Sequence, residues 1–158
     1  MRLLDSICKV ISDNYAGAPV HIEEMPNDFE RACFLVKTAT EDSSLKSFNV
    51  YEDDPTFQIV YFGRRNEANQ VYAEELYRVK DELKGLFLLK RCVPVIPLEG
   101  VTEKPRYAKI DLYNSELRLE EGCVYVKLTL NFTEDVPKDD PYELMGDVDL
   151  VTQTVTNG

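Results

Sequence analysis

The sequence predicts an α+β fold in which a single mixed, mostly antiparallel sheet carries two helices packed on one face. Two amphipathic segments separate groups of two or three predicted strands. A strand at residues 56–62, rich in β-branched and aromatic side chains, leads almost directly into the second helix, which requires a crossover over the sheet. Residues 124–132 alternate between apolar and polar side chains, which is typical of a half-buried antiparallel strand.

The first predicted elements are a helix, a short extended segment and a buried strand. Apolar residues recur at the spacing of one helical face over residues 2–15, which predicts the helix. Gly17 and Pro19 end it, because glycine readily adopts the left-handed conformation and proline cannot continue a helix. An extended segment at residues 20–22 follows, and the apolar run at residues 32–37 indicates a strand buried on both faces.

The middle of the chain contains a predicted turn, a weak strand and the central strand. A polar turn is expected at residues 40–44, followed by weak alternation at residues 45–51. Pro55 is expected to kink the chain at a non-bonded edge position before the central strand at residues 56–62 begins.

The second helix is predicted to begin at an Asn66 N-cap and to end at Lys84, with Gly85 as its terminator.

Three further strands are predicted after the second helix. Two prolines within residues 92–97 favour an edge or irregular strand. Residues 106–113 alternate, and Asn114 and Ser115 signal a turn. We therefore expect residues 106–113 to pair with residues 124–132 across that turn.

Charge divides the chain into a predicted domain at residues 1–133 and an acidic C-terminal arm at residues 134–158. The formal net charge is −11, and the arm contributes −6 of it. Near its end the arm contains a stretch with strand propensity, which either adds a strand to the open sheet edge of another subunit or remains disordered. The six residues of this stretch are Leu150, Val151, Thr152, Gln153, Thr154 and Val155.

Composition excludes several classes of protein. The negative charge disfavours binding to nucleic acid phosphates, which requires clustered Lys and Arg. No apolar run approaches the roughly 20 residues that span a bilayer, and the N-terminus has no signal-peptide pattern, so we expect a cytoplasmic protein. Four widely spaced cysteines without a Cys-x-x-Cys motif are interpreted as reduced, buried thiols.

No residue pattern indicates catalysis, a metal or a cofactor. His21 is the single histidine, which excludes sites built from several histidines. The acidic run at residues 52–54 lacks ligand spacing and is interpreted as a solvated turn. Arg64 and Arg65 precede the second helix without the glycine-rich loop of a phosphate site. We interpret them as exposed or as forming salt bridges with a neighbouring subunit.

The order of these segments and their local residue types resemble the tail terminator family of tailed phages and phage-tail-like particles, as found in prophages of Gram-positive hosts. The resemblance begins with the N-terminal amphipathic helix and ends with the acidic arm. Between them it depends on Cys33-Phe34-Leu35-Val36, the run from Asp54-Pro55 to Tyr61-Phe62, Ala73-Glu74-Glu75-Leu76-Tyr77 and the alternating strand from Val124 to Leu130.

This resemblance implies a structural role. Such subunits form a hexameric ring on the last ring of the tail tube, stop tube polymerisation and present a surface to the head-completion protein. In a contractile tail the ring also meets the sheath. Localisation in the virion after assembly in the host cytoplasm is implied, with DNA passing through an acidic channel without specific binding. A head–tail joining protein of the same particle and a non-viral acidic interaction module are the alternatives.

Overall fold

The computed structural model describes residues 2–100 and 102–136. Within these residues it contains two helices and a six-stranded sheet. The helices are α1 (Arg2–Asn14) and α2 (Ala73–Leu86). The strands are β1 (Val20–Ile22), β2 (Cys33–Leu45), β3 (Val50–Phe62), β4 (Cys92–Val95), β5 (Arg106–Arg118) and β6 (Cys123–Asp135).

The sheet has the strand order β1-β2-β3-β6-β5-β4. β1 runs parallel to β2, whereas β5 pairs antiparallel with both β4 and β6. Asn131 of β6 donates a hydrogen bond to Asp54, and the Thr56 and Thr129 hydroxyls lie 2.8 Å apart, so β3 and β6 also run in opposite directions. The predicted mixed, mostly antiparallel α+β sheet is confirmed.

Both helices cover the same face of the sheet, as predicted. Each apolar side chain fully buried there contributes about 1.5–3 kcal/mol. Buried residues of both helices belong to one core cluster with alternate residues of β6. The cluster includes Leu4, Ile7 and Ile11 of α1, Leu76, Val79 and Leu83 of α2, and Val124, Val126, Leu128 and Leu130 of β6.

The opposite face of the sheet holds a smaller apolar cluster. Leu35, Val60 and Cys123 are buried there, with Met25 and Phe62 packed against them.

All four cysteines are free; Cys33 and Cys123 are buried as predicted, and the other two are partly exposed. Neither described helix is long and apolar enough to cross a bilayer.

The chain divides into two compact units. The larger unit contains residues 2–43 and 53–132 of the described chain, and the smaller contains Ser44–Glu52 and residues 133–136. The boundary that the sequence suggests, between a domain at residues 1–133 and an arm at residues 134–158, remains a prediction.

Several expectations about strands and turns were wrong. Residues 52–54, interpreted as a solvated turn, lie half-buried within β3, and residues 46–49 of the predicted weak strand form the turn between β2 and β3. Residues 40–44 continue β2 rather than forming a turn, because pairing with the neighbouring strand satisfies the backbone whatever the side chains are. Pro55 lies within β3, an inner strand, and its fixed φ is compatible with extended backbone. Asn114 and Ser115 pair with Lys127 and Val126, so β5 continues through them.

The second helix begins later than expected. The Asn66 side chain accepts a hydrogen bond from the backbone N–H of Gln70 at 2.9 Å, which stabilises a turn instead of a helix N-terminus. An isolated bridge between Arg65 and Val71 closes this turn, and α2 starts at Ala73. Gly85 was expected to end the helix but lies inside it.

Two glycine substitutions test these placements. Gly85→Ala should raise the free energy of unfolding by about 0.5 kcal/mol, because its new Cβ meets nothing within 4 Å and alanine is the better helix former. Gly63→Ala should lower it by about 1–3 kcal/mol, because its Cβ would lie 2.6 Å from Leu76 Cδ2. Urea unfolding measures both changes in the free energy of unfolding. If Gly85→Ala destabilised the chain, the helix would instead end at Gly85, as the sequence predicts.

Candidate interaction site

A buried carboxylate joins the end of β3 to the start of α2. Glu75 is 8% exposed. One of its oxygens accepts hydrogen bonds from the Tyr61 hydroxyl at 3.0 Å and from the Arg64 backbone N–H at 3.1 Å. The other accepts from Arg64 Nε at 2.9 Å and Arg64 Nη2 at 2.6 Å. Burying an ionised carboxylate costs free energy unless it is hydrogen-bonded. These four hydrogen bonds offset that cost for Glu75, which lies in the first turn of α2.

The hydrogen bonds fix the protonation states of this cluster. Burial alone would raise the pKa of Glu75, but the hydrogen bonds from Arg64 and Tyr61 outweigh it and hold that pKa below its usual value. Burial, followed by the Glu75 charge, raises the pKa of the Tyr61 hydroxyl. Glu75 is therefore ionised and Tyr61 protonated at neutral pH, which suits a stabilising cluster rather than proton transfer.

Two further arginines hold this end of the sheet together. Arg31 Nε donates to the Gly63 carbonyl at 2.6 Å, and Arg31 Nη2 donates to the Gly122 carbonyl at 3.0 Å. Arg65 donates to the carbonyls of Asn69 at 2.9 Å and Glu120 at 3.2 Å. The end of β3, the turn before α2 and the turn between β5 and β6 are thus linked through backbone carbonyls.

The described contacts of Arg64 and Arg65 are within the chain. Arg64 pairs with Glu75, although 63% of its side chain remains exposed. A salt bridge from either arginine to a neighbouring subunit stays a prediction. The other predicted interaction residues, 150–155, lie outside the described part of the chain.

Beside this cluster lies an open notch of about 510 Å³. Two arginines, two glutamates and a tyrosine line it: Arg64, Arg78, Glu74, Glu75 and Tyr72. Its charges are balanced, so it has no excess positive charge to hold a phosphate. Among the described residues no group of three or more His, Cys, Asp or Glu side chains could hold a metal ion.

One edge of the sheet is closed by side chains and by proline. β4 is the terminal strand on that side, and Pro94 lacks a backbone N–H. Just after β4, side chains of α1 bind both backbone groups of Ile96. The Ile96 N–H donates to Ser6 Oγ at 2.9 Å, and Arg2 Nε donates to the Ile96 carbonyl at 2.8 Å. This edge therefore offers little to an incoming strand.

The smaller unit presents apolar side chains on a structured turn. Lys46 and Ser47 donate backbone hydrogen bonds to the Val50 carbonyl, which closes the turn between β2 and β3. Leu45 is 74% exposed and Phe48 is 86% exposed. Exposure of two large apolar side chains so close in sequence favours contact with another molecule.

Sequence reasoning missed three of these residues. Glu75 has the usual position of an acid near a helix N-terminus, but its burial depends on Tyr61 approaching from β3, which no local pattern reveals. Arg31 contacts residues more than 30 positions away. The exposure of Phe48 could have been suspected only from the polar residues around it.

The sequence matches the model of a family described as phage tail terminator protein over residues 2–142. That range contains both helices and all six strands described above. No curated protein matches the chain. The match confirms the resemblance inferred from the order of the segments.

The buried carboxylate can be tested by removing its charge. Glu75→Gln should lower the free energy of unfolding by about 1–2 kcal/mol at pH 7, because it loses charge-assisted hydrogen bonds. The folded pKa of Glu75 is lowered, so the wild type keeps this stabilisation above the unfolded value of about 4.3 and loses it as the pH falls through the folded pKa.

The gap between the wild type and Glu75→Gln in urea unfolding should therefore narrow in acid. Glu74→Gln is the matched control, since that neighbouring side chain is exposed, and it should leave stability almost unchanged. Equal effects of the two substitutions at pH 7 would contradict the role assigned to Glu75.

Proposed function

This chain belongs to the phage tail terminator family, and from that premise we propose that its subunits close into a homohexameric ring on the last ring of the tail tube. The ring stops addition of further tube subunits. Its other side receives the head-completion, or neck, protein. In a contractile particle the last sheath ring also attaches to it.

The match over residues 2–142 is the observation that carries this proposal. It includes every described strand of the sheet and both described helices. Tail terminators are structural components of the virion tail. A role based on surfaces rather than on a reaction agrees with a site whose polar groups are occupied in holding the fold together.

Self-association is supported by the exposed apolar side chains. Burying Leu45 and Phe48 against another subunit would contribute about 1.5–3 kcal/mol for each side chain. A ring requires a heterologous contact, in which one surface of each subunit meets a different surface of the next. The two dissimilar edges of this sheet provide such a difference.

In this proposal the predicted interaction residues form contacts between subunits. Arg64 keeps most of its side chain exposed while paired with Glu75, so it can also contact a carboxylate of an adjacent subunit. Arg65 lies next to it. Residues 150–155 add a strand to the open sheet edge of another subunit.

The net charge of −11 also agrees with a channel protein. Acidic side chains facing the channel would repel the phosphate backbone, so DNA would pass without binding to a specific site. Assembly takes place in the host cytoplasm, and the subunit then remains in the tail.

Electron microscopy of particles made without this subunit tests the proposal. Tubes should vary in length and remain separate from heads, because nothing ends polymerisation or receives the neck protein. Supplying the wild-type chain should restore uniform attached tails, each with six copies of the subunit at the head-proximal end. Uniform tails attached to heads in its absence would contradict the proposal.

A further inference from the structure

One exposed apolar surface lies on the turn between β2 and β3. Leu45 and Phe48 are both exposed there. The Lys46 N–H donates to the Val50 carbonyl at 2.9 Å, so the neighbouring positions Leu45 and Tyr51 lie opposite each other, on the same face of the two strands. Leu45, Phe48 and Tyr51 together are the hairpin tip, an apolar surface held by a closed turn.

A second exposed apolar surface lies at the end of α2, in residues 84–91, the α2 turn. Leu88 and Leu89 are exposed there. Backbone hydrogen bonds fix this turn: the Leu89 N–H donates to the Lys84 carbonyl at 3.0 Å, and the Arg91 N–H donates to the Leu88 carbonyl at 3.1 Å. The Arg91 carbonyl accepts a hydrogen bond from a backbone N–H of β5 at 2.9 Å. An ordered backbone thus holds both leucines in solvent, which lowers the entropic cost of binding a partner.

The two surfaces lie in stretches of opposite charge. Residues 41–54, which contain the hairpin tip, include five acidic residues and one basic residue. Residues 83–98, which contain the α2 turn, include three basic residues and no acidic residue. The α2 turn is therefore a basic surface on a chain whose net charge is −11.

Charged side chains at both surfaces lack partners within the described chain. Glu41 and Asp42 of the hairpin are exposed, as are Lys90 and Arg91 of the α2 turn. Among the residues that the structure describes, none of these four side chains takes part in a salt bridge. They are therefore available to a second molecule that carries the opposite charge.

We propose that the hairpin tip of one copy of this chain binds the α2 turn of a second copy. The proposal rests on the proposed ring, because a contact between two different surfaces is heterologous and can repeat until a ring closes. Leu45 and Phe48 of one copy pack against Leu88 and Leu89 of the other, which removes four exposed apolar side chains from water. Opposite charges around this apolar centre orient the two copies.

The charges also decide which surfaces meet. Two hairpins brought together would place acidic residues beside acidic residues, and two α2 turns would place basic residues beside basic residues. Like charges at an interface are unfavourable, so both symmetric pairings are disfavoured. The pairing of unlike surfaces remains, and a ring requires that kind of pairing.

Photo-crosslinking of the full chain in the presence of tail tubes tests the contact. Phe48→benzoylphenylalanine is introduced into an unlabelled chain, which is mixed with a heavy-isotope-labelled wild-type chain, and crosslinked tryptic peptides are identified by mass spectrometry. The expected product joins unlabelled position 48 to the labelled peptide 85–90. Crosslinks within one copy only, to other surfaces of a second copy, to tube or sheath subunits only, or none between copies would overturn the proposal.

A substitution in the labelled chain tests the apolar part of the contact. Leu89→Ala removes apolar surface from the α2 turn and should lower the crosslink yield about tenfold. Leu112→Ala is the matched control, because Leu112 of β5 is 67% exposed against 68% for Leu89 and lies outside the proposed contact. Its yield should equal that of the wild type, and equal losses from the two substitutions would overturn the proposal.

Reversing the charges on both sides tests the pairing of the two surfaces. Glu41→Lys with Asp42→Lys in the unlabelled Phe48→benzoylphenylalanine chain should lower the yield at least about threefold, and so should Lys90→Glu with Arg91→Glu in the labelled chain. Mixing the two reversed chains should restore the yield, because opposite charges then meet again. Failure to restore it would overturn the proposal. All of these side chains are exposed, so urea unfolding should give each chain the wild-type stability.

Counting the copies at tube ends separates this proposal from the one on which it rests. If the crosslink is absent while six-copy rings still form on tubes, the ring stands and the hairpin contact is wrong. If the crosslink forms but tubes are not capped, the hairpin contact stands and the terminator role fails.

Discussion

Unpaired backbone groups at the edge of a sheet are the constraint on which the rest of this structure depends. At β4 the constraint is met within the subunit, by Pro94 and by the side chains of Ser6 and Arg2. At β2, within residues 2–100 and 102–136, β1 and the Glu23 carboxylate cover the outer backbone groups as far as Thr38. A subunit whose two sheet edges differ in this way is suited to directional assembly, because its two sides cannot substitute for each other.

The cluster around Glu75 stabilises the subunit itself, in contrast to the sheet edges, which bear on assembly. It links α2 to the end of β3 and so stabilises this end of the sheet. Arg31 and Arg65 extend this fastening through carbonyls of neighbouring turns. These polar groups therefore stabilise the fold.

Much of the fold was predictable because its signals are local. The alternation at residues 124–132 and the apolar faces of both helices identified β6, α1 and α2. The errors at Pro55 and Gly85 arose where sheet pairing or helix continuation overrode the preference of a single residue. The site was less predictable, because the burial of Glu75 and the open edge of β2 depend on which strands become neighbours, and no residue type records that.

Hydrogen exchange at single-residue resolution tests the central claim of an open β2 edge used in assembly most directly. In the isolated subunit the amide of Ser43 should exchange quickly, because it points outward, while that of Ser44 should be protected by the neighbouring strand β3. If the proposed ring uses this edge, exchange at Ser43 should slow on assembly to match that of Ser44. Equally fast exchange before and after assembly would contradict the account.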